Sequence, residues 1–234
     1  MTGSTAERRQ EIAANLAAVT ERIFRACESA QRDPAQVHLV VVTKFFPATD
    51  VRILADLGVT DVGENRHQEA QAKVAECADL PLRWHFIGGL QSNKAAAVGG
   101  YADVVESVDR SSVIARLGRG AVENDRQVEA LLQVSLDPPG RDQRAGGDPA
   151  GLVGLAAEVD STDGLNLCGL MAVAPIDEDP AQAFARLATI RAEFLTTSPA
   201  ATVLSAGMSA DLEAAITIGA THVRVGSAVL GSRP

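Results

Sequence analysis

A single lysine follows a long apolar run near the start of the chain. Residues 37–43 read Val-His-Leu-Val-Val-Val-Thr, and Lys44 comes directly after them. An unbroken run of β-branched and aliphatic residues is typical of a strand buried on both faces, as in a parallel sheet. An amine at the end of such a strand is partly desolvated, which favours its neutral form, the nucleophile toward a carbonyl carbon. Alternatively, the long side chain reaches past the sheet into water and has only a structural role.

Two short turns late in the chain are rich in glycine and serine. They follow predicted strands and read Ser205-Ala206-Gly207-Met208-Ser209 and Gly226-Ser227. Small residues allow backbone N–H groups to approach phosphate oxygens, and serine hydroxyls supply further donors. The turns therefore predict a phosphate site, with ordinary tight turns as the alternative.

An amine and a phosphate site in one pocket predict a phosphorylated carbonyl ligand. Pyridoxal 5′-phosphate (PLP) fits best, because its aldehyde can form a Schiff base with Lys44 while its phosphate lies on the two turns. Arg224, at the end of the last predicted strand, is then placed to face the pyridine nitrogen. A cation there leaves that nitrogen unprotonated and the ring a poor electron sink. A structural salt bridge is the alternative role for Arg224.

The order of predicted elements indicates how these residues come together. Strands are predicted at 38–43, 60–63, 83–88, 103–108, 128–136, 165–173, 201–204 and 221–225, with helices between them. Eight strand–helix units predict a closed (β/α)8 TIM-type barrel with an extra N-terminal helix. An open doubly wound sheet is the alternative, weakened by the absence of a G-x-G-x-x-G motif. We expect one domain over 1–234, with the extra helix at 4–30, the barrel at 37–234 and a surface loop at 137–150.

In such a barrel the carboxyl ends of all strands converge on one face, which carries the site. Glu64 is the one acidic residue expected near that point, so paired-carboxylate chemistry and a magnesium cluster are excluded. The chain has only three lysines, and we expect Lys73 and Lys94 to be solvated. The convergent positions are Lys44, Asn65, His85, Met171, Ser205, Ala206, Gly207, Arg224, Gly226 and Ser227.

Composition limits the remaining classes of function. The net charge is −9 with no basic aromatic patch, which argues against a nucleic-acid partner. Three distant cysteines indicate a reducing compartment, and four scattered histidines show no metal-ligand spacing. The N-terminus lacks an apolar segment and no run approaches the length of a membrane span, so we expect a cytoplasmic protein. The expected state is a monomer or a weak dimer.

Several segments, in order over nearly the whole chain, resemble the YggS/PROSC family. They are Val-Val-Thr-Lys44-Phe-Phe-Pro, Gly63-Glu-Asn65, Trp84-His85-Phe-Ile-Gly88-Gly-Leu-Gln-Ser-Asn-Lys94, Gly169-Leu-Met171, Leu204-Ser205-Ala-Gly-Met-Ser209 and Arg224-Val-Gly226-Ser227-Ala-Val-Leu-Gly. The resemblance implies a barrel of the alanine racemase N-terminal type with PLP on Lys44. It also implies phosphate contacts from Ser205, Gly226 and Ser227, a ring-nitrogen contact from Arg224, and Asn65 and His85 in the pocket wall. One departure is Arg66, where an aromatic residue often follows Gly-Glu-Asn.

Family members are regarded as carriers or regulators of vitamin B6 without an established catalytic activity, so the resemblance implies a non-catalytic role in PLP homeostasis. Apo forms of PLP-dependent enzymes are the implied transient partners. A PLP-dependent amino-acid racemase is the alternative, but related two-base racemases use a second domain to supply an opposing tyrosine and close the site. Here the chain ends soon after the last strand, and its one tyrosine, Tyr101, precedes the fourth. A barrel enzyme using Lys44 as an aldolase-type amine is a third possibility.

Overall fold

The computed structural model describes residues 5–137 and 146–232, which form a closed barrel of eight parallel strands. The strands are β1 (His38–Val42), β2 (Asp61–Glu64), β3 (Arg83–Phe86), β4 (Val104–Val108), β5 (Val128–Gln133), β6 (Leu165–Met171), β7 (Val203–Ser205) and β8 (His222–Val225). Each strand pairs with the next along the chain, and β8 pairs with β1 to close the barrel. The predicted (β/α)8 fold is therefore confirmed.

Helices cover the outside of the barrel. In the described ranges they are α1 (Thr5–Ser29), α2 (Ala48–Asp56), α3 (His67–Glu76), α4 (Ala95–Gly99), α5 (Ser111–Glu123), α6 (Leu152–Asp160), α7 (Pro180–Thr197), α8 (Leu212–Thr217) and α9 (Ser227–Leu230). The helix expected between β3 and β4 begins only at Ala95, because a turn occupies 92–94. Residue 4 and most of the predicted loop, residues 138–145, lie outside the described residues.

The extra helix α1 supports the two segments that follow β7 and β8. Arg8 donates to Asp50 Oδ2 at 2.7 Å and to the carbonyl of Leu230, in α9, at 2.9 Å. The apolar side chains of α1 pack with those of α8 and α9 in one buried cluster, which removes apolar surface from water. Its members from α1 are Ile12, Val19, Ile23, Ala26 and Cys27.

The interior of the barrel has an apolar side and a polar side. Val104, Leu131 and Met171 form a buried apolar cluster contributed by β4, β5 and β6. Hydrogen-bonded polar side chains from β3, β4, β7 and β8 occupy the other side, described below. None of the helices in the described ranges is long and apolar enough to cross a membrane.

Candidate functional site

A cavity of about 300 Å³ opens at the carboxyl end of the barrel. This volume is at the lower end of the range for small-molecule sites. Residues that follow β1, β3, β7 and β8 contribute most of its wall, as the barrel fold predicts. The lining residues are Val42, Lys44, Phe46, Ile87, Met208, Ser209, Ala210, Arg224, Gly226, Ser227 and Gly231.

Lys44 lies in this wall, two residues after the end of β1. It is half-buried, and Thr43 before it is fully buried. Phe45 after it has φ = 70°, a left-handed conformation that is uncommon for a bulky residue and persists only when its surroundings hold it. The backbone on both sides of the amine is therefore fixed by its environment.

The two turns that carry the predicted phosphate contacts need glycine for packing. Gly207 has φ = 91°, and a Cβ atom there would lie 2.7 Å from the Cβ of Ala215 in α8. At Gly226, a Cβ atom would lie 3.2 Å from the carbonyl oxygen of Val42. The absence of side chains thus allows both turns to pack closely against neighbouring segments of the chain.

Serine hydroxyls lie at the same cavity wall. Ser209 is the last residue of the first turn, and Ser227, the last residue of the second, opens α9. The amide of Met208 donates to Asp211 Oδ1 at 2.5 Å, which fixes the shape of the first turn. The wall therefore combines hydroxyl donors with glycine turns.

Arg224 forms the charged floor of the cavity and is 4% exposed. One guanidinium nitrogen, Nη1, donates to Ser205 Oγ at 2.6 Å and lies 3.5 Å from Glu106 Oε2. The other, Nη2, donates to the carbonyl of Ala172 at 2.9 Å. Burial lowers the pKa of Arg224, and the charge of Glu106 opposes that shift. The guanidinium is thus held by three partners, Ser205, Glu106 and Ala172.

Glu106 is a buried carboxylate next to Arg224 that the sequence patterns do not predict. It lies at the centre of β4 and is fully buried, with Oε1 2.8 Å from His85 Nδ1 and Oε2 accepting from Ser205 Oγ at 2.7 Å. Burial alone would raise the pKa of Glu106, but the hydrogen bond with His85 and the charge of Arg224 lower it to about 2. The expectation that Glu64 is the one acid near the site is therefore wrong. A glutamate in the apolar run Val-Val-Glu-Ser-Val was the available signal.

The remaining predicted residues lie behind or beside the cavity wall. Ser205 is fully buried and contacts Arg224, and Met171 belongs to the apolar cluster inside the barrel. His85 lies deeper, between Glu106 and Asp61. Asn65 follows β2, and its buried Oδ1 has no hydrogen-bond partner among the described residues. The structure thus brings Lys44, Arg224, Gly226 and Ser227 together in the wall, whereas Asn65, His85, Met171, Ser205, Ala206 and Gly207 are not lining residues.

Three of the four histidines, which look scattered in the sequence, meet at the opposite end of the barrel. His38 and His222 begin β1 and β8, and their rings stack with centroids 4.9 Å apart. The ring of His85 lies 6.2 Å from that of His222, and its Nε2 is 3.0 Å from Asp61 Oδ1. No group of three or more His, Cys, Asp or Glu side chains in the described ranges is arranged to hold a metal ion.

This arrangement predicts a pH dependence of stability. Burial lowers the pKa of His222 to about 4 from its ordinary value of 6.5, with His85 and His38 acting in the same sense and Glu106 and Asp61 opposing. Because the pKa of His222 is lower in the folded state, the unfolded chain binds more protons between pH 6.5 and pH 4. The free energy of unfolding that neutral His222 contributes is therefore fully present above pH 6.5 and is lost on acidification toward pH 4. The loss is on the order of 3 kcal/mol.

Urea unfolding of the wild type and H222N at pH 7, 5.5 and 4.5 measures this effect. We expect the free energy of unfolding to fall less steeply with acidification in H222N. The slopes of the two proteins should converge above pH 7, where the histidine is neutral in both states. Parallel slopes over the whole range would contradict the assignment to His222.

Lys73 is not solvated, contrary to the expectation from sequence. Its side chain is 7% exposed, and its ammonium donates to the Thr43 carbonyl at 2.7 Å and to Oε1 of Glu64 and Glu69 at 2.6 and 2.7 Å. A charged cluster therefore lies behind the turn that carries Lys44.

Arg66, the residue that departs from the family pattern, places its guanidinium 4.8 Å from the centre of the Phe45 ring.

Comparison with known proteins shows which class of domain this barrel represents. Residues 14–234 match the family model described as the alanine racemase N-terminal domain. A solved alanine racemase from Corynebacterium glutamicum has the same fold, with a TM-score of 0.69 at 13% identity. This chain covers 62% of that racemase.

More similar proteins define the family within that class. The chain is 41% identical to the pyridoxal phosphate homeostasis protein of Mycobacterium tuberculosis, covering 97% of this chain and 95% of that protein. It is 42% identical to the protein of that name from Pseudomonas aeruginosa, with 95% and 96% covered. A structure of PipY from Synechococcus elongatus PCC7942 with PLP bound superposes with a TM-score of 0.80 at 38% identity, covering 94% of this chain and all of PipY. The chain belongs to the pyridoxal phosphate homeostasis protein family.

Proposed function

We propose that this protein binds PLP through a covalent bond to Lys44 and acts in PLP homeostasis as a carrier. The observation that carries the proposal is the meeting of Lys44, Arg224 and the two glycine–serine turns around one cavity of about 300 Å³. These groups come from the beginning and the end of the chain, and the barrel brings them together. An amine, a cation and a phosphate cradle are the complement of a phosphorylated pyridine aldehyde.

The residues present fit the cofactor. Gly226, Ser209 and Ser227 lie in the cavity wall beside Arg224, and backbone N–H groups and serine hydroxyls are donors that suit a phosphate. Bound PLP would supply an aldehyde for a lysine amine and a ring whose electron-withdrawing power depends on protonation of its nitrogen. Arg224 would offer that nitrogen a hydrogen-bond donor and no negative partner, which would leave the ring a weak electron sink.

A carrier is favoured over an amino-acid racemase. The only tyrosine, Tyr101, lies outside the cavity wall, with its hydroxyl 3.4 Å from His67 Nδ1. Burial raises the pKa of Tyr101, which opposes its use as a base. Relatives that this chain covers almost completely are named homeostasis proteins, whereas it covers 62% of the alanine racemase. We infer that the cofactor is held here for transfer to apo forms of PLP-dependent enzymes.

Incubating the PLP-loaded protein with a panel of L-amino acids separates the two functions. A carrier should give no D-isomer and no keto acid beyond one equivalent per protein, because its ring nitrogen lacks an acidic partner. Mixing the same loaded protein with an apo-enzyme should restore that enzyme's activity as PLP is transferred. Multiple turnovers on any amino acid would overturn the carrier proposal, and a loaded protein that never yields its PLP to an apo-enzyme would also contradict it.

A further inference from the structure

A buried ion cluster ties down the residues on both sides of Lys44. The cluster consists of Lys73 and Glu69 in α3 and Glu64 at the end of β2. The three donor hydrogens of the Lys73 ammonium are matched by three oxygen acceptors, at 2.6–2.7 Å. Such clusters are costly to bury and add little net stability, so their position in the fold is the informative feature.

On one side of Lys44, the cluster holds Thr43. The Thr43 carbonyl accepts from Lys73, and the Thr43 hydroxyl donates to Glu64 Oε1 at 2.6 Å. That glutamate oxygen is the same one that binds the ammonium. The residue before Lys44 is therefore fixed through both its backbone and its side chain.

On the other side, the cluster holds Phe45. The Phe45 amide donates to Glu69 Oε1 at 2.5 Å, and this oxygen also binds the Lys73 ammonium. Phe45 is the residue with φ = 70°, a conformation that costs about 1–3 kcal/mol outside glycine and needs external support. Lys73 thus lies at the centre of the contacts that impose the shape of the turn around Lys44.

We propose that Lys73 is a positioning residue for Lys44: its ammonium, bridging Glu64 and Glu69, sets the backbone turn that aims the Lys44 amine into the cavity. The inference rests on the proposed function, since the aim of the amine matters only if it bonds to the ligand's aldehyde. Misplacement of a reacting group by about 1 Å can cost a hundredfold. Loss of Lys73 should therefore weaken the bond to the aldehyde and leave the phosphate and ring contacts unchanged.

Two ligands that differ only at the reacting carbon test this. PLP has an aldehyde, whereas pyridoxine 5′-phosphate has a hydroxymethyl group at the same carbon. In K73M we expect affinity for PLP to fall by about tenfold or more and affinity for pyridoxine 5′-phosphate to change by less than about twofold. K94M is the matched control, because Lys94 lies outside both the cavity wall and the cluster. Should K73M fail to fold, E69Q removes charge from the cluster at a side chain that is 24% exposed and should show the same selectivity in milder form.

Equal losses for the two ligands in K73M would indicate a general structural role and overturn the inference. Unchanged affinity for both would overturn it too. Failure of the proposed function gives a different result: the wild type would form no covalent bond with PLP at Lys44, and both proposals would fall together. Covalent PLP on wild-type Lys44 with no selective loss in the Lys73 variant would remove only the positioning role.

Discussion

Replacing Glu106 by alanine should lower the free energy of unfolding by about 3–5 kcal/mol. Glu106 is fully buried, and its two oxygens contact His85, Ser205 and Arg224. Removing the carboxylate leaves the Arg224 cation in the barrel interior without its charge partner. The His85 pKa, which hydrogen bonds with Asp61 and Glu106 raise against the effect of burial, should fall as well. Chemical unfolding at pH 7 measures the loss.

The matched control is E123A at the surface. Glu123 is 62% exposed and pairs with Arg119 at 3.7 Å within α5, so its removal should cost no more than about 0.5 kcal/mol. E106Q keeps the shape and some acceptor capacity, and should fall between the two. A loss below about 1 kcal/mol in E106A would contradict the role assigned to this carboxylate.

Replacing Lys44 by alanine should lower the affinity for PLP by about a hundredfold or more, equivalent to about 2.7 kcal/mol. Lys44 is the one lysine in the cavity wall, so the variant loses the bond to the aldehyde while Arg224 and the glycine–serine turns remain. Binding of pyridoxine 5′-phosphate, which has no aldehyde, should change little. Titration followed by absorbance and by calorimetry measures both affinities.

K94A provides the control for lysine removal as such. It should bind PLP like the wild type and show the same absorption spectrum. Wild-type affinity for PLP in K44A would mean that the covalent bond adds nothing or forms elsewhere.

The barrel and much of the cavity wall can be predicted from local sequence patterns. Apolar runs and glycine turns repeat at regular intervals, and a closed barrel brings every strand end to one face. This logic is enough to place Lys44, Arg224, Gly226 and Ser227 in one cavity. The strand ends shift by up to three residues, for example from 43 to Val42 in β1 and from 136 to Gln133 in β5, because hydrogen bonding to neighbouring strands decides them.

The interior network could not be predicted, because it depends on which side chains meet across the barrel. Glu106 and His85 lie 21 residues apart on adjacent strands, and Ser205 lies a further 99 residues along the chain from Glu106. Lys73 illustrates the same limit on a helix. It lies among the residues of a short helix, and its long stem reaches the turn after β1 as well as partners on β2 and α3. A buried charge is revealed by its partners, and for Lys73 these include the Thr43 carbonyl, 30 residues earlier in the chain.

Borohydride reduction of the PLP-treated wild type tests the central proposal most directly. The protein is incubated with PLP, reduced, digested and mapped by mass spectrometry over its three lysines. We predict a phosphopyridoxyl group on Lys44 and none on Lys73 or Lys94, because Lys73 is buried among carboxylates and Lys94 lies outside the cavity wall. A group found only on Lys73 or Lys94, or on no lysine at all, would contradict it.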